Sequence, residues 1–235
     1  MNLMKQIEER SNLFKNLYGI DILGFEQGSP DWFKTKLGVI SASNAYKVVS
    51  KGKGNQPSQT RKSYMLELCA QVATGVYEEV NSKHMEWGKT HEDAARSSYE
   101  FMFEKDVVEI PFIFRDDSFR CGVSVDGVVP VGDSGIPGEY KCPYNSIHYL
   151  DFVLNEKIKS EYQWQCQFGM WVTKTDMYHM CQFDPRMKKK GFHCIEVHRD
   201  NEAQDTLSVE VPRFIKEMDE IFEELGFKFG DQWSR

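Results

Sequence analysis

Residues 120–144 read RCGVSVDGVVPVGDSGIPGEYKCPY, and this stretch decides the fold. Two strand-like runs, 120–131 and 135–144, flank the turn signal Gly132-Asp133-Ser134-Gly135, so the segment reads as a β-hairpin. In a strand, residues i and i+2 face the same way. Glu139 and Lys141 therefore project from one face, where apolar residues would otherwise pack. Asp126 stands near the end of the first run, just before Gly127, and the hairpin carries it toward Glu139. Three charged groups are expected to converge.

Two neighbouring carboxylates repel unless a cation sits between them. A hard divalent ion such as Mg2+ takes oxygen ligands and keeps several waters. With a lysine beside it, such an ion suits phosphodiester hydrolysis. The metal polarises the phosphate and holds the attacking water. The lysine stabilises developing charge, or helps position and deprotonate that water. A plainer reading has Asp126 capping a turn and Glu139 and Lys141 forming a solvated cross-strand pair. The helical stretch WGKTHEDAAR (87–96) adds Glu92, with His91 and Asp93 beside it, as a further acid able to complete the site.

Outward from the hairpin, strands are expected at 107–115, 177–184 and 193–199, and helices at about 3–18, 84–104 and 160–173. Gly28-Ser29-Pro30-Asp31 marks a turn and helix cap, and Ser41–Ser43 a strand end followed by a short helix. Thr60 is expected to cap a helix that stops near Gly75. A closing helix is expected through Phe214, Ile215, Met218, Ile221, Phe222 and Leu225, with Pro212 near its start and Gly226 past its end. Helices on both sides of a β block imply an α/β or α+β fold, a central mixed sheet flanked by helices. The 235 residues suit a single domain: a helical part over about 1–105, a catalytic sheet core over about 106–200 and a C-terminal helix over about 201–235.

Composition narrows the function classes. Apolar residues make up 40% and charged residues 28%, and no apolar run approaches a membrane span. The charged N-terminus lacks a secretory core, so a cytoplasmic protein with no membrane partner is expected. Six cysteines without a C-x-x-C pair argue against structural zinc, a disulfide scaffold or an iron–sulfur cluster. Net charge is −7, yet basic residues cluster, most densely at 186–190. One such cluster is ordinarily a solvated face.

Several motifs in order resemble the phage lambda exonuclease type of enzyme, the viral recombinase/alkaline exonuclease branch of the PD-(D/E)xK nuclease superfamily. They are W-x-x-x-K-L-G-V-I-S-A-S (32–43), W-G-K-x-x-E-x-x-A-R (87–96), R-D-x-S-x-R (115–120), S-V-D-G (124–127), G-E-Y-K-C-P (138–143), Q-C-Q-F-x-M-W-V-T (165–173), D-P-R-M-K (184–188) and G-F-x-F-G-x-Q-W (226–233). The resemblance runs from about residue 26 to the C-terminus. It implies a restriction-endonuclease-like core and Mg2+-dependent, processive 5′→3′ digestion of one strand of duplex DNA. The products would be 5′-mononucleotides and a 3′ single strand for recombination, with Mn2+ a possible substitute ion. It further implies a homotrimer ring around DNA ends and a single-strand annealing protein as partner.

By position, the resemblance makes Asp126, Glu139, Glu92 and the Tyr140 carbonyl metal ligands, and Lys141 the catalytic lysine. Glu92 becomes the helix acid of the site and Asp116 an acid near it. Gln165 and Gln167 become the glutamines lining the site, Gln167 ahead of Gln165, although a buried helix glutamine also packs against backbone. Trp32, Lys36 and Ser43 match the pocket for the 5′-terminal phosphate. Lys36 stands where the phage lambda enzyme has arginine, and lysine cannot grip phosphate bidentately. Val125 stands where the superfamily name expects proline. Met85 is a candidate wedge at the duplex end, or else an ordinary packed methionine. Arg186 and Lys188 are candidates for a basic ring lining. The remaining histidines, His84 and His148 among them, show no ligand spacing and read as structural or surface residues. The competing function is a structure-specific or restriction-like endonuclease on the same fold. A further rival is a binding or assembly protein with a vestigial site.

Overall fold

The computed structural model describes residues 3–78 and 82–234. In chain order the elements are α1 (Leu3–Tyr18), α2 (Pro30–Thr35), β1 (Ile40–Ser41), α3 (Ala45–Val49), α4 (Gln59–Thr74), α5 (Lys83–Phe103), β2 (Ile113–Phe114), β3 (Cys121–Val123), β4 (Gly127–Val131), β5 (Ser134–Lys141), α6 (Ser146–Asn155), α7 (Ser160–Thr173), β6 (Met177–Phe183), β7 (Phe192–His198) and α8 (Asn201–Leu225). The fold is the expected mixture of helices around mixed sheet. The strands form two sheets rather than one: a small β1-β3-β2 sheet and a four-stranded β4-β5-β6-β7 sheet.

The hairpin is tighter than its sequence suggests. Val131 pairs with Ser134, so only Gly132 and Asp133 make the turn, with Gly132 at φ +54°. A two-residue hairpin turn favours glycine where φ is positive. The run 120–131 breaks at 124–126, which hands the chain from the small sheet to the large one. Asp126 sits in that break, and its N–H donates to the Gly138 carbonyl (3.0 Å). Strand β5 then runs parallel to β6, with Glu139 beside Met180 and Lys141 beside Gln182. A parallel pair needs a crossover, and α6 and α7 supply it.

The two faces of the large sheet are covered differently. Tyr178, Met180 and Val197 join the main core with α7 and α8, through Phe168, Trp171, Phe214 and Met218. Tyr140, Cys181 and Phe192 face Ala95 and Tyr99 of α5. Helix α7 lies close on β6 at Gly169, where an added Cβ would come within 2.4 Å of the Tyr178 ring.

Local chemistry explains where the elements start and stop. Ser29 caps α2 by accepting the Trp32 N–H (3.3 Å). Helix α4 is capped by Ser58, not Thr60, and ends at Gly75 in the left-handed conformation. Helix α8 is capped by Asp200 and runs through Pro212 rather than starting there. The N–H that proline lacks is tolerated because Leu207, Val211 and Phe214 anchor both sides in the core. The run 107–115 is mostly not a strand. Val108 makes one bridge to Val128 and only Ile113–Phe114 pair with β3, for Pro111 interrupts the donors a strand needs. Helix α6, absent from the sequence reading, is capped by Asn145. Among the described residues no helix is long and apolar enough to cross a membrane.

Candidate active site

A cavity of about 620 Å3 opens where α5, the hairpin and the start of α7 meet. Glu92, Asp126, Glu139, Tyr140 and Lys141 all line it, together with Trp32, Lys36, Ser43, Met85 and Gln165. Each carboxylate arrives on a different element: Glu92 on α5, Asp126 in the break before β4, and Glu139 on β5. The Asp126 Oδ2 accepts the Tyr140 N–H (2.6 Å), which ties the two hairpin strands together beside the acids. Glu139 is only 5% exposed. It accepts from the Lys141 ammonium, and the Tyr178 hydroxyl points to its other oxygen at 3.5 Å.

The electrostatics follow from this crowding. Burial, with Glu139 and Glu92 close by, holds the Asp126 carboxyl well above the usual carboxylate range. Burial and then Glu139 raise Glu92 as well, against Arg96 and Lys141. Burial alone would pull the Lys141 ammonium down, but Glu139 and Asp126 outweigh it and raise its pKa above the ordinary value.

Hard oxygen donors that destabilise one another in a half-closed cavity are what a divalent cation relieves. The donor set at Asp126, Glu139 and the Tyr140 carbonyl fits such an ion in kind. Among the described residues no three His, Cys, Asp or Glu side chains already form a ligand cage. An ion held there would complete its shell with backbone oxygen and water, as Mg2+ does.

Across the cavity, the Lys36 ammonium lies 3.5 Å from the centre of the Trp32 ring. Burial lowers its pKa to about 7, partly offset by Glu139. The Trp32 indole N–H donates to Ser124 Oγ (3.0 Å) and the Pro111 carbonyl (3.1 Å), which fixes the ring. Ser43 is exposed at the rim, with its hydroxyl 3.4 Å from that of Ser41. Met85 is 46% exposed and not a packed core methionine.

Other sequence-derived candidates fall elsewhere. Gln167 is buried at the joint of α7 and α8. Its carboxamide donates to the His198 carbonyl (2.8 Å) and accepts from Asp200 N–H (3.0 Å) and Gln204 (3.1 Å). Of the two, Gln165, one half-turn away, is the one that lines the cavity. Asp116 closes its own turn by accepting from the Ser118 N–H and hydroxyl, and is not among the cavity residues. Arg186 has its guanidinium committed to Asp184 and to the Pro143 and Tyr144 carbonyls, stacked at 4.6 Å on Trp87. It staples the chain after β5 rather than presenting a free cation. Lys188 is exposed on the same β6–β7 connection, outside the cavity.

The structure also brings in residues that the sequence did not single out. Ser124, Lys159, Tyr162 and Gln182 line the cavity, as do His84 and His148, which had read as structural or surface residues. Ser124 lies two residues before Asp126, and Gln182 beside Lys141 in the sheet. Only the tertiary pairing reveals the second.

Comparison with known proteins bears on the fold and the family. LHK-Exo, an alkaline exonuclease from Laribacter hongkongensis, superposes with a TM-score of 0.75 at 29% identity, covering 84% of this chain and 96% of its own. It has also been solved in complex with dAMP. A phage-related exonuclease from Haemophilus somnus 129PT shares the fold, with a TM-score of 0.65 at 16% identity over 80% of this chain and 96% of its own. The putative uncharacterized protein ExoD of Escherichia coli (strain K12) is 44% identical over 78 residues, 33% of this chain and 90% of that protein. The YqaJ-like viral recombinase domain matches residues 31–176, and the chain belongs to that family.

Proposed function

We propose that this protein is a divalent-metal-dependent DNA exonuclease that digests the 5′-ended strand of a duplex processively from its end. It would release 5′-mononucleotides and leave a 3′ single strand for recombination by annealing. The observation that carries this reading is one cavity holding Glu92, Asp126, Glu139 and Lys141 together with the Lys36–Trp32 pair. The exonuclease relatives support it. The whole chain would work as one nuclease domain.

In this reading Asp126, Glu139 and the Tyr140 carbonyl hold Mg2+, or Mn2+ in its place. The bound ion would supply Lewis acidity toward the phosphate and a more acidic water. Lys141, kept charged by Glu139 and Asp126, serves as an electrostatic partner for the scissile phosphate rather than as a base. Glu92, raised by burial and the neighbouring Glu139, stands on α5 as the further acid of the site. Gln165 orients the substrate from α7, and Met85 stands exposed where it can meet the end base pair. Lys36, Trp32 and Ser43 receive the 5′-terminal phosphate. A phosphate there would restore the charge that burial takes from Lys36. A homotrimer ring with an acidic exterior would reconcile net charge −7 with DNA threading, with Lys188 on its lining. A single-strand annealing protein would take the product strand in the host cytoplasm.

The test is digestion in Mg2+ of a linear duplex beside a covalently closed circle of the same sequence. The linear form should disappear, the circle should persist, and chelation should stop the reaction. Nicking or opening of the circle would instead assign an endonuclease. An untouched linear duplex would refute the nuclease reading.

A further inference from the structure

Gln182 has no part in the chemistry described so far, yet it stands beside its central cation. The parallel register places it next to Lys141, and both line the cavity. It shares the sheet face of Glu139 and Lys141, while Tyr140 and Cys181 point the other way. Gln182 is 7% exposed, and its Oε1 is buried with no hydrogen-bond partner among the described residues. A buried acceptor left without a donor costs stability, and such groups are few in folded proteins.

The surroundings narrow down which donor it is meant for. Met180, two residues back on the same face, is apolar. His193, opposite in β7, has an Nε2 3.7 Å from Glu156 and without a hydrogen bond among the described residues, but it does not line the cavity. Lys141 remains, with three N–H donors, and it is turned toward Glu139. Glu139 is also one of the two carboxylates suited to a divalent ion. Once its oxygens are engaged there, it is a poorer partner for Lys141, which then needs a second acceptor to stay aimed at the substrate.

We propose that Gln182 is the positioning residue for Lys141: its Oε1 takes the lysine ammonium when Glu139 is otherwise engaged, and so fixes that charge beside the scissile phosphate. This rests on the nuclease reading above. Gln182 touches no reacting atom; it acts through Lys141.

Two variants separate this role from simple packing. Gln182→Met keeps the length and most of the volume but has no comparable acceptor, whereas Gln182→Glu keeps the acceptor. Steady-state kinetics on a linear duplex in Mg2+ and thermal midpoints without added cation are measured for both. For Gln182→Met, kcat should fall roughly tenfold or more, the scale of one hydrogen bond to a charged group, with KM for DNA little changed. Its thermal midpoint should stay level or rise, because an orphaned acceptor has gone. Gln182→Glu should keep most of the wild-type kcat. Wild-type kcat in Gln182→Met, equal losses in both variants, or a midpoint several degrees lower would each overturn the assignment. If the wild type itself leaves DNA intact, the nuclease reading fails. If the wild type is active and Gln182→Met is indifferent, only the role of Gln182 fails.

Discussion

Strand β5 shows two different economies on its two faces. One face carries Glu139 and Lys141 into a cavity where like charges crowd and burial works against them. The other carries Tyr140 into an aromatic and thiol cluster with Tyr99 and Cys181. Adjacent residues thus belong to opposite environments, because the side-chain period of a strand is two. The same split recurs on α7, where Gln165 faces the cavity and Gln167 fastens α7 to the start of α8. Substitutions on the cavity side should cost chemistry while sparing or raising stability, and those on the fastening side should do the reverse.

The sharpest way to break that contrast is Asp126→Asn. Activity should fall by about two to three orders of magnitude, as for other charge-stabilising site groups. Stability should rise at the same time. Asp126 has a raised folded pKa, so the native state holds its proton more tightly than the unfolded chain. Wild-type stability therefore declines as pH rises from the ordinary carboxylate range near 4 toward that raised value. The gain from asparagine should be present at neutral pH and absent near pH 4. Thermal melts across pH check this, and a neutral-pH loss of stability would contradict the crowding argument.

Gln167→Ala tests the fastening side. It removes the bonds to the His198 carbonyl and the Asp200 N–H, and should cost about 1–3 kcal/mol in urea unfolding. The kcat of the surviving folded protein should be near wild type. A large loss of kcat at full stability would return Gln167 to the catalytic set.

Lys36 gives a graded test within the cavity. With its pKa near 7, binding a 5′-phosphate above that pH requires proton uptake. The preference for 5′-phosphorylated over 5′-hydroxyl ends should therefore weaken above pH 7, by up to about tenfold per unit. Lys36→Arg stays charged and should flatten the profile. A pH-independent preference in the wild type would remove Lys36 from that role. The smallest effect belongs to Tyr140→Phe. The hydroxyl is buried with no hydrogen-bond partner among the described residues, so its loss should leave kcat unchanged and shift stability by about 1 kcal/mol or less, upward if at all.

These contrasts also mark how far the sequence alone reaches. The hairpin, α7 and the glycine-capped helix ends are legible because each is set by a local signal: alternation, a 3.6-residue stripe, or a left-handed cap. Asp126, Glu139 and Lys141 are legible because charges at strand spacing conflict with packing. Helix α6 is hidden because it is apolar on both sides, with Tyr149 and Phe152 buried and Ile147, Leu150 and Leu154 exposed, so no single stripe stands out. Gln165 and Gln167 cannot be ranked by spacing, since helix rotation against α8 decides which one meets the cavity. Arg186 looks like a free cation until the fold brings Asp184 and two carbonyls to it. Gln182 is invisible for the same reason, because its neighbour Lys141 is 41 residues away by numbering and adjacent only in the sheet.

The central claim is that the cavity around Lys141 hydrolyses DNA from a 5′ end. It is tested most directly with linear duplexes labelled at the 5′ or the 3′ terminus, digested in Mg2+ by the wild type and by Lys141→Ala. The account predicts early release of the 5′ label as mononucleotide and late release of the 3′ label. It also predicts a properly folded Lys141→Ala that releases neither at a comparable rate. Early release of the 3′ label, or a Lys141→Ala as active as the wild type, would contradict it.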